Sequence, residues 1–241
     1  MAAEDATSVL RMAGWPVVEL RRYALHPGAR ETLIELFDRE LVEAQEAVGM
    51  RVLGQFRDLD DPDSFVWLRG FSDMESRKRA LAAFYGGPVW KEHARAANAT
   101  MVDSDNVLLL RPVTSLALDA SIRPPPGTSG SRPGLLVVTI YHLTESTAAD
   151  FRELFRRELE PAVRRAGVTV RGTYASEHSA NTYPALPVRE GEDVFVWLSM
   201  FADEAEHAVH ADGIPEPRAQ YLERPTEILR LRPTARSLIH G

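Results

Sequence analysis

The pattern of hydrophobic and polar positions repeats once along the chain. Residues 65–73 (FVWLRGFSD) alternate large apolar side chains and end in an Asp that can cap a helix, and the pattern recurs at 195–203 (FVWLSMFAD). The offset is 195 − 65 = 130 residues, and six of the nine positions are identical. Alternation with a period of two is typical of a strand. Each copy is therefore predicted to be the central strand of one domain in a tandem repeat.

Further elements of both types are predicted around each copy. Strands are predicted over 17–23, 50–56, 65–71 and 107–110, and again over 135–143, 169–175, 194–201 and 227–231. Helices are predicted over 33–48, over 73–98 with a break at 86–88, over 147–166 and from 203 onward. The order strand, helix, strand, strand, helix, strand is that of the split βαβ, or ferredoxin-like, arrangement. Both halves therefore share one predicted topology.

The two predicted sheets need each other. A four-stranded sheet with helices on one side leaves its other apolar face uncovered, and two such sheets in one chain can cover each other. The expected fold class is α+β, with two tandem ferredoxin-like domains whose four-stranded antiparallel sheets pair within the chain into an eight-stranded barrel. The expected divisions are a tail (1–15), a first domain (16–113), a Pro/Gly/Ser-rich linker (114–134), a second domain (135–234) and a C-terminal tail (235–241). An insertion in the second half, 176–193, is either a functional lid or a disordered hairpin.

Composition excludes several classes of chemistry. The chain has no Cys, which removes disulfides, thiolate nucleophiles and Cys-ligated metals, and its two Lys lie in charged, Ala-rich helices unsuited to a Schiff base. A net charge of −7 argues against a nucleic-acid partner. The lack of both a long apolar run and a signal-peptide pattern argues against a membrane partner and favours a cytoplasmic location. The bias towards Arg, Ala and Pro is typical of a high-GC bacterial genome, and glycine-rich phosphate loops and nucleophile elbows are missing.

Polar residues in the first half form the leading candidate site. Glu19, Arg21 and Tyr23 share one face of a strand, and Arg69 lies in register with Trp67 on another. They could supply a carboxylate base, an anion-holding guanidinium and a phenol donor. The alternative is a structural ion pair of Glu19 with Arg21 or Arg69.

The two copies differ at these positions. Arg69 is replaced by Ser199, and on the simplest alignment Glu19 is replaced by Thr139. Whatever these charges do is therefore not needed twice.

The second half and one helix add weaker candidates. Tyr141, His142, Tyr174 and His178 lie on strands or just beyond them, and His93 lies on a helix near a Trp. Histidine can act as a general base near neutral pH, but a single His at a strand end is also a common surface or capping residue. Both interpretations stay open at this point.

A short helix carries a weak metal motif. Glu204, His207 and His210 recur at three-residue intervals along one helix side, which could bind a divalent metal or be an ordinary solvated face. Heme has no distinctive axial ligand among the seven His. We expect no cofactor.

The first half resembles the NIPSNAP family of the dimeric α+β barrel superfamily. The resemblance covers residues 16–113 and is carried by the motifs ELRRY (19–23), Pro27-Gly28, Gly49, GQF (54–56), the Trp67 strand, Arg77 and Trp90. The second half looks like a diverged copy, with Tyr141-His142-Leu143 in place of Arg21-Arg22-Tyr23 and with neither the Pro-Gly turn nor a match to Trp90.

The resemblance implies a ligand between the sheet and its covering helices. Members of the superfamily include cofactor-independent monooxygenases and cyclases of aromatic polyketides, isomerases, heme-binding proteins and stress-response modules. We therefore expect a hydrophobic small-molecule ligand, processed by cofactor-independent oxygenation, cyclisation or isomerisation, in a setting such as secondary metabolism. The alternative is a non-catalytic binding or interaction module, and helical faces could additionally build a homodimer. Catalytic roles are expected for Glu19, Tyr23, Arg69, His93, Tyr141 and His178. Ligand contacts are expected from Arg21, Trp67, Phe71, Tyr85, Trp90, Tyr174 and Trp197.

Overall fold

The structure is a computed structural model that describes residues 15–116, 118 and 123–241. Most of the predicted N-terminal tail (1–14) and part of the predicted linker (117 and 119–122) lie outside the described residues. The strands are β1 (Val17–Leu25), β2 (Arg51–Asp58), β3 (Ser64–Phe71), β4 (Met101–Thr114), β5 (Leu135–Leu143), β6 (Val170–Ser176), β7 (Asp193–Phe201) and β8 (Glu227–Pro233). The α-helices are α1 (Arg30–Leu36), α2 (Val42–Glu46), α3 (Met74–Tyr85), α4 (Pro88–Asn98), α5 (Ala148–Leu154), α6 (Glu160–Arg165) and α7 (Glu204–Ala211).

The eight strands close into one antiparallel barrel in the order β1-β3-β2-β8-β5-β7-β6-β4. Each half contributes four neighbouring strands, and the two halves meet where β2 pairs with β8 and where β4 pairs with β6. This arrangement confirms the predicted fold class. The repeat is thus an intramolecular pairing of two ferredoxin-like sheets, and closure leaves the described sheet without a free edge.

The barrel interior is a shared apolar core built from both halves. One alternating set of positions on each strand points inward, and these side chains pack together because the sheets cover one another. Inward-facing members include Leu20, Val66, Leu108, Ile140, Val196 and Leu231. The interior is therefore occupied by side chains.

The opposite face of each sheet packs against that half's own helices. In each half α1 or α5 runs into α2 or α6 through one π-helical turn, at Phe37–Leu41 and at Phe155–Leu159. The two turns begin and end on matching residues at an offset of 155 − 37 = 118, so helix positions can be equated between the halves. Separate core clusters fill the two layers between sheet and helices.

Some elements differ from the sequence expectations. β4 runs from Met101 to Thr114, well beyond the predicted 107–110, because its two ends pair with β1 and β6. The last residues, predicted as a tail, pack closely: Leu238 and Ile239 are buried, and the buried Arg236 donates to the backbone oxygen of Pro124 at 2.8 Å.

Candidate functional site

A single buried carboxylate at the sheet–helix layer of the first half pairs with three arginines. Glu19 on β1 accepts hydrogen bonds from Arg21 Nη1 at 2.7 Å, from Arg69 Nε at 2.7 Å and from Arg77 Nε at 2.6 Å. Strand pairing sets Glu19 opposite Arg69, and α3 brings Arg77 over the sheet. All four side chains are at most 1% exposed. We call these four residues the arginine cluster; its formal net charge is +2.

The outer nitrogens of the cluster are only partly satisfied. Arg21 Nε donates to the Tyr23 hydroxyl at 3.0 Å, and Arg69 Nη1 donates to Gln45 Oε1 at 3.1 Å. In contrast, Arg69 Nη2 and Arg77 Nη2 are buried and have no hydrogen-bond partner in the described structure, and the same holds for Trp67 Nε1. Buried donors are normally paired, so three orphan donors in one layer form an unusual concentration.

The electrostatics of the cluster oppose a base role for Glu19. Burial alone raises the pKa of Glu19, but the charges of Arg69, Arg21 and Arg77 outweigh it and hold the pKa well below its usual range. A carboxylate so stabilised as an anion is a poor proton acceptor near neutral pH. Burial also raises the pKa of Tyr23, which keeps its phenol neutral. Glu19 therefore suits the role of an anchor for guanidiniums better than the expected role of a base.

A narrow aromatic cleft borders the arginine cluster. Its volume is about 30 Å³. Its walls are Tyr23, Leu33, Phe37, Leu41, Gln45, Trp67, Phe84, Tyr85, Trp90, Ala97 and Met101. The Arg69 guanidinium carbon lies 4.9 Å from the Trp67 ring centroid, so the indole contacts both the cleft and the cluster. No carboxylate or imidazole lines the cleft among the residues that the structure describes.

The insertion in the second half covers this first-half site. We call residues 177–192 the cover loop. Asn181 Oδ1 accepts a hydrogen bond from Arg77 Nη1 at 2.9 Å, and the Thr182 hydroxyl donates to the Met74 backbone oxygen at 3.0 Å. The Tyr183 ring stacks on Tyr85 with centroids 6.2 Å apart. The cover loop therefore lies against α3 of the first half through these three contacts.

Strand register corrects the alignment of the two halves. Arg69 pairs with Glu19, while Ser199 pairs with Val137, so Val137 occupies the position of Glu19. Thr139, expected there, pairs with Trp197 and matches Arg21.

The second half therefore lacks every charge of the cluster. The offset of 130 residues between β3 and β7 makes His207 the equivalent of Arg77. The offset of 118 residues between the two π-helical turns makes Val163 the equivalent of Gln45. Val163 is fully buried in the matching apolar layer. The same fold is thus built once with a charged layer and once without.

The second-half candidates do not converge on a comparable site. The Tyr141 hydroxyl accepts from Trp197 Nε1 at 3.2 Å, and burial raises the pKa of Tyr141 well above its usual value. Tyr174 points into the barrel interior, away from these two, and burial raises its pKa to about 12. His178 is 58% exposed and lies 3.0 Å from Asp193.

Other candidates lie at the margins or in structural contacts. His142 lies 3.3 Å from Glu227. His93 Nε2 lies 3.8 Å from Glu40 and does not line the cleft. Phe71 belongs to the core cluster under the helices, with the Arg69 guanidinium 5.5 Å from its ring. Of the candidates in the described residues, those that gather around the cleft and the cluster all come from the first half: Glu19, Arg21, Tyr23, Trp67, Arg69, Tyr85 and Trp90.

The possible metal residues do not form a site. Glu204 pairs with Arg232 at 2.6 Å, the His207 ring packs edge-on against Phe201, and a His210 ring nitrogen lies 2.7 Å from the Ala166 backbone oxygen. Over the described residues no group of three or more His, Asp or Glu is arranged to hold a metal ion. In the described structure each of the three side chains turns to a different neighbour.

The closed eight-stranded barrel, with helices packed on its outside, defines a protein of the dimeric α+β barrel type in which both halves lie on one chain. Residues 18–116 match the NIPSNAP family model, so this part of the chain is a NIPSNAP domain. No curated protein matches the chain significantly. No helix in the described residues is both long and apolar enough to cross a bilayer.

Three solved structures are similar to the chain over nearly its whole length. A candidate monooxygenase from Fusobacterium nucleatum subsp. nucleatum has a TM-score of 0.57 at 10% identity, covering 92% of this chain and 94% of that one. An anthrone oxidase-like protein has a TM-score of 0.54 at 13% identity, with coverages of 93% and 95%. A candidate monooxygenase from Lactobacillus acidophilus NCFM has a TM-score of 0.53 at 10% identity, with coverages of 89% and 92%. At these identities the likeness shows the fold.

Three residues of the site were not singled out from the sequence as site residues. Arg77 was noted only as part of the family resemblance, although its position one turn after the Asp73 cap sets it on the inner helix face. Gln45 interrupts an otherwise apolar helix stripe, which is a usable signal. The sequence carries no signal that marks Asn181 as a site residue, because only the fold brings the cover loop to the other half.

Proposed function

We propose that this chain binds an aromatic small molecule between the sheet and helices of its first half and acts on it without a cofactor. The observation that supports this proposal is the aromatic cleft, which Trp67 and Trp90 line and whose wall residue Tyr85 stacks on Tyr183 of the cover loop. Concave, mostly apolar sites with a few polar groups are the usual form of small-molecule pockets. The cleft holds about one water as it stands, so ligand entry requires the cover loop and the Tyr85 side chain to move.

Oxygenation is the reaction that the proposal favours over cyclisation and isomerisation. The whole-length structural relatives include two candidate monooxygenases and an anthrone oxidase-like protein. An aromatic substrate that has lost a proton can react with dioxygen directly, and neighbouring positive charge favours the ionised form of a bound acid. The arginine cluster supplies such positive charge beside the cleft. Among the described residues no carboxylate or imidazole lines the cleft to act as a base.

The second candidate function is a non-catalytic binding module. The observation in its favour is that Glu19 is fully paired with guanidiniums and the barrel interior is filled with side chains. Under this proposal the same cleft binds its ligand and releases it unchanged.

Anthrone turnover separates the two functions. Oxidation of anthrone to anthraquinone consumes one dioxygen; the methylene carbon loses both hydrogens and becomes a carbonyl, and one water leaves. Purified protein would be incubated aerobically with anthrone, and oxygen consumption and quinone absorbance would be followed. Oxygenation predicts a rate above the protein-free blank, whereas the binding module predicts quenching of tryptophan fluorescence without quinone.

A matched pair of variants locates the site. Tyr23→Phe and Tyr141→Phe each remove one buried hydroxyl that accepts a hydrogen bond, at equivalent positions of the two halves. The proposal expects Tyr23→Phe to alter ligand binding or turnover and Tyr141→Phe to leave both unchanged. Equal effects, or an effect of Tyr141→Phe alone, would count against a first-half site.

A further inference from the structure

We infer that the arginine cluster is an anion-binding site that holds a negatively charged oxygen of the aromatic ligand, either a carboxylate or an ionised enol or phenol. The inference rests on the proposed function and narrows it, because it states which aromatic molecules the cleft accepts. A neutral hydrocarbon would leave the excess positive charge of the cluster uncompensated, whereas the anion of an acid would neutralise part of it and accept hydrogen bonds from the free donors.

The charge of the cluster is the first argument. Three guanidiniums surround one carboxylate, and arginine does not deprotonate in proteins. The salt bridges of Arg21, Arg69 and Arg77 in the described structure all go to Glu19. Tyr23 remains neutral, so two positive charges stay buried without a counter-ion. Burial of unpaired charge is strongly unfavourable, and a bound anion removes that imbalance.

The orphan donors are the second argument. Arg69 Nη2 and Arg77 Nη2 belong to two guanidiniums that both grip Glu19 by their Nε atoms, and both nitrogens lack a partner. Guanidiniums bind carboxylates through charge-assisted hydrogen bonds, often through two nitrogens at once. Trp67 Nε1 adds a third free donor at the wall of the cleft. Free donors, excess positive charge and an aromatic wall thus occur together.

The second half supplies the third argument. Its equivalent layer has Val137, Thr139, Ser199 and His207 where the first half has Glu19, Arg21, Arg69 and Arg77, and it keeps the same strands, helix turn and register. The fold therefore does not require the charges. Since apolar replacements of buried ion networks are often neutral or stabilising, the retained cluster points to binding rather than to folding.

Benzoate and benzamide form the decisive probe pair. They share ring and size but differ in charge, and acetate supplies the carboxylate without the ring. Dissociation constants would be measured on the full chain by calorimetry and by tryptophan fluorescence at pH 7. The expected result is that benzoate binds at least about tenfold more tightly than benzamide, as charge-assisted hydrogen bonds in a desolvated site imply.

A variant that copies the second half is the matched control. Glu19→Val, Arg21→Thr, Arg69→Ser and Arg77→His together give the first half the composition of the second. This variant is expected to lose the preference for benzoate over benzamide. Arg77→Gln lowers the net charge of the cluster by one and keeps Glu19 paired with two arginines. This variant is expected to bind benzoate more weakly and to bind benzamide as tightly as the unaltered protein does.

The outcomes separate the inference from the proposed function. Equal binding of benzoate and benzamide to the unaltered protein would overturn the anion site and leave the aromatic site standing. Binding of acetate as tight as that of benzoate would support the anion site and contradict an aromatic ligand. No binding of any probe would overturn both. A preference for benzoate that survives in the fourfold variant would also overturn the assignment to this cluster.

Discussion

Glu19→Gln tests the electrostatics of the arginine cluster. The substitution removes the only negative charge among four buried side chains and leaves three guanidiniums facing one another. Gln keeps one oxygen acceptor, but its amide NH₂ now points a donor at a guanidinium that also donates. Breaking a buried ion pair by removing one partner costs about 3–5 kcal/mol. We expect the free energy of unfolding to fall by about that amount at pH 7.

The pH dependence of this effect has a defined sign. The pKa of Glu19 is held below its ordinary value of 4.5 in the folded protein, so its ionisation stabilises the fold above that pH. The stabilisation is lost as pH falls through the lower folded value. The difference in stability between the unaltered protein and the Gln variant should therefore be full at pH 7 and shrink as the pH is lowered below 4.5.

Urea unfolding followed by circular dichroism and tryptophan fluorescence measures the effect. The control is Glu153→Gln, since Glu153 also pairs with an arginine, Arg156 at 2.6 Å, but both side chains are exposed. That control should leave the urea midpoint unchanged. A loss below about 1 kcal/mol for Glu19→Gln, or a loss independent of pH, would refute the account of a buried, over-compensated carboxylate.

Three further predictions concern the fold. Burial raises the pKa of Asp38, so ionisation of this carboxyl at higher pH opposes folding. Asp38→Asn keeps an oxygen that accepts a hydrogen bond from Gln55 and carries no charge. In urea titrations its stability relative to the unaltered protein should therefore increase as the pH rises from 4 to 8. Gly54→Ala places a Cβ 2.5 Å from the ring of Phe56 and should cost about 1–3 kcal/mol by overpacking, measured by urea unfolding; an unchanged midpoint would contradict the tight approach. A protease site inserted after the exposed Gly127 should yield two fragments that co-elute under native conditions and separate in urea; fragments that part without denaturant would contradict a shared barrel core.

The barrel was predictable because its signal is repeated in the sequence. Two copies of one strand, each followed by a capping Asp, specify two equal sheets, and the uncovered apolar faces specify their pairing. Both Asp side chains do cap helices: Asp73 accepts from the Ser76 backbone nitrogen at 2.6 Å, and Asp203 accepts from that of Glu206 at 2.9 Å. Local pattern and global fold agree here, so the prediction needed no knowledge of distant contacts.

The site was less predictable because its parts come from distant elements. Glu19, Arg21 and Tyr23 share a strand face, which alternation alone reveals. Arg77 joins them through the packing of α3, and Asn181 joins from the other half of the chain, 104 residues further on. A charge count of the cluster requires all of its members at once, so the sequence could suggest an ion pair but not an excess of positive charge.

Sequence spacing also misassigned orientations. Tyr174 lies on a strand, as Tyr141 does. A bulge between Val170 and Gly172 shifts the register of β6, and the Tyr174 side chain points into the barrel interior. The alignment of Glu19 with Thr139 failed for a related reason, since a shift of two residues preserves alternation and only pairing with β7 fixes the register.

A crystal structure of the complex with benzoate tests the central claim most directly. The account predicts the ring in the first-half cleft against Trp67 and the carboxylate at about 3 Å from Arg69 Nη2 and Arg77 Nη2, with the equivalent layer of the second half empty. Benzoate bound in the second half, inside the barrel, or with its carboxylate directed away from the two guanidiniums would contradict it.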